Sequence, residues 1–302
     1  MRGILACAVM MLHLGVNHII LKLSGNALPG GRWQLSVDFF FILSGFVLAR
    51  SYGINRPGIR IYFAKRLRRL GPVFVLSTIL MWGLERSSLT TAAANLLMVQ
   101  SLVGVPHLNW PSWSVPFEIF LPIIGLLVAE RIRRPRLALA GFALLGAACC
   151  VALARGQDCR FLRAVSGLGF GMFLYHSGWR TVPFANALIA GFCGMLLIML
   201  LCIELPAIAV IFYPLAGWCV LAGANTRTCL SSAPFQALGR WSYGIYLFHV
   251  PVLTAAIQWL GVEHITGGTA TVAIIVTVLA VSGAAFRFVE TPVMRWRAAL
   301  PS

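Results

Sequence analysis

The chain has 302 residues, of which 59% are hydrophobic and 11% charged, and it carries a formal net charge of +16. A chain this apolar cannot bury every apolar side chain inside a water-soluble globule, so lipid must form part of its solvent. In a membrane chain an excess of positive charge reads as a topology signal or a site for an anionic ligand, and nucleic acid is set aside as a partner.

A hydrocarbon core of roughly 30 Å takes about 20 residues of helix to cross, and apolar stretches of that kind recur along nearly the whole sequence. They predict an all-α, polytopic integral membrane helical bundle of about ten transmembrane helices, over 3–22, 35–54, 69–86, 114–131, 137–155, 161–176, 184–203, 205–223, 240–260 and 268–290. The first run lacks a small-residue cleavage pattern and is followed by many similar segments, so it reads as a span and not as a signal peptide. The apolar stretch 92–105 reads as a re-entrant or interfacial piece. No soluble domain or long linker is evident, and residues 1–302 read as a single membrane domain. The loops divide the basic residues unequally, with 18 of 24 on the side that receives Arg2, Arg50 to Arg69, Arg131 to Arg136, Arg180, Arg227, Arg240 and the tail, and Lys22, Arg32, Arg86, Arg155, Arg160 and Arg163 on the other. The positive-inside rule then predicts cytoplasmic termini and an even number of spans. The eight cysteines fall in or beside apolar segments without metal-type spacing, which predicts neither a metal site nor a disulfide framework.

Ionisable residues inside apolar segments are costly and mark candidate sites. On the first span Arg2 and His13 are eleven positions apart, which returns them to one helix face roughly 16 Å apart along the axis. This suits an anion-binding mouth above a buried reactive centre; a structural histidine hydrogen-bonded between helices suits the same position. Asp38 opens the second span, where a carboxylate also serves as a helix cap. At the third span, Lys65-Arg66-Leu67-Arg68-Arg69 sets arginines three apart on one face, able to hold phosphate oxygens or to meet anionic lipid headgroups. Before the fourth span an aromatic segment, Trp110 to Phe117, leads to Glu118. That carboxylate could orient an imidazole, position an acceptor hydroxyl, or pair with an arginine. Gly167, Gly169 and Gly171 lack dinucleotide-loop spacing and read as close helix-packing positions. Glu204, before Pro206, reads as structural.

Segments in order then resemble the acyltransferase family 3 membrane proteins, which include bacterial O-acetyltransferases of surface polysaccharides. They are Arg2-Gly3-Ile4 through His13, Val37-Asp38-Phe39-Phe40 through Ser44-Gly45-Phe46, Phe63 through Lys65-Arg66-Leu67-Arg68-Arg69-Leu70-Gly71-Pro72, and Trp113-Ser114 through Glu118. Leu238 to His249 and Phe286 to Pro292 also match. Lys65 where arginine is common, and Pro116 inside the fourth motif, depart from the pattern. The family also carries several residues ahead of the arginine that Arg2 matches.

The resemblance implies transfer of an acyl group from cytoplasmic acyl-CoA, usually acetyl-CoA, to a hydroxyl of a cell-surface glycan or lipid-linked sugar approached from the outer side. No metal takes part, and the setting is a bacterial inner membrane among its lipids. His13 and Glu118 are implied as catalytic residues, Arg2, Lys65, Arg66 and Arg69 as the donor-binding cations, and Asp38, Ser44 and Trp113 as shaping the substrate site. Neutral imidazole suits removal of a hydroxyl proton. His249 is expected to pack. A transporter or flippase is the alternative that would also place charges within the membrane.

Overall fold

The computed structural model describes residues 1–14, 32–55, 59–129, 131–179, 185–202, 204–225, 228–261 and 268–295. Among them every regular element is a helix. That is what lipid requires of an open chain, since each backbone N–H and C=O must find its partner within the segment. In order they are α1 (Arg2–His13), α2 (Leu35–Asn55), α3 (Ile59–Glu85), α4 (Leu89–Leu96), α5 (Ser114–Ala129), α6 (Pro135–Ala154), α7 (Arg160–His176), α8 (Ala185–Leu201), α9 (Phe212–Asn225), α10 (Ala233–Leu260), α11 (Gly268–Ala285) and α12 (Thr291–Arg295). Each of the ten expected spans holds one of these helices. Among the described residues six stretches are long and apolar enough to cross a bilayer, namely Leu35–Tyr52, Ile59–Glu85, Pro135–Ala154, Pro206–Ala224, Ala233–Leu260 and Gly268–Arg295.

Several boundaries differ from the sequence expectation; α9 begins at Phe212 and α10 at Ala233, against expected starts at 205 and 240. Helix α3 begins ten residues ahead of position 69, so the Lys65 to Arg69 cluster lies inside the helix and not at its start. Lysine and arginine are good helix formers, and a hydropathy reading stops at charges that the backbone does not notice. The 92–105 stretch folds as the short helix α4 and one turn at Gln100–Val103, with Met98 at φ +60° between them.

The chain divides into two compact units, and two of the boundaries fall inside helices, within α5 between Ile119 and Phe120 and near the start of α10 between Phe235 and Gln236. The first unit holds α2, α6, α7, α8 and α9. Its centre is the close approach of α2 and α7. A Cβ on Gly45 would run into the Leu168 carbonyl, one on Gly171 into the Ile42 carbonyl, and one on Gly167 would meet the Phe41 Cβ at 2.6 Å. The glycines thus set the packing distance, as their spacing suggested. The same two helices are bolted together by a buried ion pair: Arg163 donates through Nη2 to Asp38 Oδ2 at 2.6 Å and through Nε at 3.1 Å. Its remaining donors reach Gln34 O at 2.8 Å and Asp158 Oδ1 at 3.0 Å. Both Asp38 and Arg163 are withdrawn from solvent, at 0% and 1% exposure.

The second unit holds α1, α3, α4, α10 from Gln236 onward, α11, α12 and the start of α5. Gly3 lets α1 lie against the backbone of Leu238 on α10. Tyr243 on α10 donates to Leu70 O on α3 at 3.0 Å. Below that contact Met81, Ala92, Leu108 and Val250 form one apolar cluster with Trp82 and Leu84.

Candidate functional site

Two prolines build the site by leaving a gap in a helical ladder. A proline inside a helix cannot donate to the carbonyl four residues earlier, and in a lipid-embedded segment that carbonyl needs another donor. Pro251 in α10 frees Leu247 O in this way, and Asn109 Nδ2 fills the vacancy at 2.8 Å. Tyr246 hydroxyl donates to Pro111 O at 2.7 Å beside it. Together they fix the 3₁₀ turn Trp110–Trp113 to α10. Pro122 in α5 frees Glu118 O, to which Arg66 Nε donates at 3.1 Å. Pro116 lies in the first turn of α5, where the N–H has no helical partner to lose, so its departure from the motif costs the helix little.

The turn so fixed sets Trp110 across the ring of His13, with centroids 4.3 Å apart and planes at 75°. His13 ends α1 and is half-buried. Its Nδ1 lies 2.8 Å from Nε2 of the fully buried His249, whose own Nδ1 lies 3.0 Å from Ile245 O. The expected packing role of His249 accounts for its burial, but the geometry adds a direct hydrogen bond to the candidate catalytic ring.

The cationic residues gather in the same unit. Arg66 Nη2 pairs with Glu118 Oε2 at 2.9 Å, so the carboxylate read as a catalytic candidate is held by an arginine read as a donor-binding one. Lys65 and Arg69 are exposed, and Arg2 is half-buried. Arg2 lies in the field of Arg69, Arg66, Glu118 and Glu290. Glu290 closes the π-turn Phe286–Glu290 and is buried, with Oε1 lacking a hydrogen-bond partner among the described residues. Its positive neighbours are Arg69 and Arg2. Three guanidinium groups against two carboxylates leave this cluster net positive, a setting suited to phosphate oxygens.

Trp113 is buried, with its ring 6.2 Å from that of Phe117, at the head of α5. Arg2, His13, Lys65, Arg66, Arg69, Trp113 and Glu118 therefore belong to one unit, while Asp38 and Ser44 lie on α2 in the other. The sequence reading treated Arg163 as a loop charge and missed its pairing with Asp38. Its position within the apolar run Phe161 to Gly171 was the available signal. Asn109 and Glu290 were likewise not singled out; a polar residue near a helix proline, or at the end of a matching motif, could have pointed to them.

Compared with known proteins, residues 1–287 match the family model of the acyltransferase-3 group, described as an acyltransferase domain. The chain is also similar to acyltransferase MdmB of Streptomyces mycarofaciens, 25% identical over 319 aligned positions that cover 87% of this chain and 81% of that protein. No solved structure matches.

Proposed function

The chain belongs to acyltransferase family 3 and is a membrane acyltransferase, and from that premise we propose that it moves an acyl group, acetyl first among candidates, from cytoplasmic acyl-CoA to a hydroxyl of a cell-surface glycan or lipid-linked sugar. The observation that supports this most directly is one unit holding both a half-buried imidazole, His13, and a net-positive cluster of Arg2, Arg66 and Arg69. In this reading the cluster, with Lys65, takes the phosphates of the donor, and exposed Arg69 offers the readiest contact because Arg66 is already committed to Glu118. His13 accepts the hydroxyl proton as the oxygen attacks the thioester carbonyl; the C–S bond then breaks and the proton passes to the leaving sulfur. Glu118 acts by holding Arg66. Trp113 shapes the centre from the turn that precedes α5, while Asp38 contributes by pairing with Arg163 and so keeping α2 in place.

The setting is the bacterial inner membrane with both termini in the cytoplasm, a reading that rests on the distribution of basic residues. Membership of an enzyme family disfavours the transporter alternative. The test is release of free CoA by the purified protein given acetyl-CoA and glycan acceptors, paired with mass spectra of surface glycans from cells with and without the gene. Acyl groups lost from the glycan on deletion, and CoA release abolished by His13→Ala, are the expected results. Identical spectra and undiminished CoA release by His13→Ala would overturn the reading.

A further inference from the structure

We propose that His249 is a positioning residue that fixes the tautomer of His13 and so makes Nε2 its reacting nitrogen. This inference rests on the reading of His13 as the proton acceptor. It follows from a chain of donors and acceptors that can be assigned in only one direction when both rings are neutral. The Ile245 carbonyl can only accept, so the His249 Nδ1 that lies 3.0 Å from it carries the proton. A neutral imidazole has one N–H, so His249 Nε2 holds a lone pair. That lone pair faces His13 Nδ1 at 2.8 Å, and His13 Nδ1 must therefore be the donor. His13 Nε2 is left without a proton, as a base must be.

The ring geometry supports a true N–H···N bond. An imidazole N–H and an imidazole lone pair both lie in the ring plane and point away from the ring centre, so the bond requires the two rings to meet edge to edge along the N···N line. The planes differ by only 9°, and the 5.0 Å between centroids is the span expected of two rings joined along one N···N line. Trp110 closes over the His13 ring from the side, at 75° to it. The ring is thus held by a bond in its plane and a contact across it, so that Nε2 keeps one direction.

When the acceptor oxygen attacks the thioester, its proton moves to His13 Nε2 and the ring becomes an imidazolium. The Nδ1–H···Nε2 bond then spreads that charge toward His249 until the C–S bond breaks and the proton leaves Nε2 for sulfur. No proton is gained or lost by the pair over the cycle. A neutral histidine here does part of what a carboxylate does in other catalytic triads, orienting the base and holding its tautomer without placing a fixed negative charge beside it.

Two substitutions separate positioning from packing, because glutamine and asparagine reproduce different atoms of histidine. His249→Gln places an acceptor oxygen near the former Nε2, within reach of His13 Nδ1. His249→Asn stays near the former Nδ1, keeps the Ile245 contact and does not reach His13. We expect His249→Gln to keep kcat within about tenfold of the native enzyme and His249→Asn to lose about a hundredfold or more, with KM for acetyl-CoA unchanged in both. Selective ¹⁵N-histidine NMR of the purified protein should show His13 protonated at Nδ1 and unprotonated at Nε2, and this pattern should be lost in His249→Asn. Equal kcat values for the two variants, or a native His13 protonated at Nε2, would overturn the inference. Undiminished turnover by His13→Ala would instead remove the functional reading, while the NMR result would still decide how the pair shares its protons.

Discussion

An imidazole is a base only at the nitrogen that lacks a proton, so the value of His13 depends on what its other nitrogen touches. Replacing His13 by glutamine keeps size and hydrogen bonding but removes proton uptake at neutral pH; turnover should fall by about 10² to 10⁴ while acyl-CoA binding persists. Titration with labelled acetyl-CoA beside a CoA-release assay would check both halves. The arginines should divide by their present partners. Arg69 is exposed, so Arg69→Ala should raise KM for acyl-CoA roughly ten- to a hundredfold and leave thermal stability near the native value. Arg66 makes two bonds to Glu118, one to the carbonyl and one to the carboxylate. Arg66→Ala should therefore also lower stability, by about 1.5–3 kcal/mol, which a melting curve in detergent would register beside the kinetics. At this scale the candidate residues were legible, because a charge inside an apolar run stands out. Their partners were not: His249 lies 236 positions from His13, and Arg163 lies 125 positions from Asp38. No local spacing reports such pairings.

Helices α2 and α7 illustrate what an element can and cannot reveal of itself. Glycines at helical spacing announced a close contact, and the structure supplies it through Gly45, Gly167 and Gly171. The buried pair between the same helices is a different kind of interaction. Losing one partner leaves an uncompensated charge, so Arg163→Leu should destabilise the protein by about 3–5 kcal/mol, whereas Asp38→Leu combined with Arg163→Leu should recover much of that loss. Thermal unfolding of the single and double variants would test it, and a double variant no more stable than the single one would show that the pair contributes more than mutual neutralisation. The start of α3 escaped the sequence reading because hydropathy reports lipid contact, whereas helix formation also admits arginine and lysine. The prolines were visible from the outset, but the carbonyls they free acquire meaning only once Asn109 and Arg66 are seen to reach them.

For the molecule as a whole, the apolar composition points to lipid as solvent and the match over residues 1–287 shows the family, while the proposed orientation rests on where the basic residues fall. A cysteine placed at Arg68 should resist membrane-impermeant maleimide in intact cells and react once the membrane is opened; ready labelling from outside would reverse the orientation. The interrupted ladders at Pro122 and Pro251 bear on how this enzyme would respond to engineering. An alanine at either position restores a backbone N–H to its helix, which a screen for heat resistance would favour. The recovered rung would compete with Arg66 for Glu118 O, or with Asn109 for Leu247 O, and would loosen the segment that carries Trp110 or the grip on Glu118. Selection for robustness alone would thus drift toward straighter helices and slower turnover, and a thermostabilising library would do well to leave those two prolines untouched.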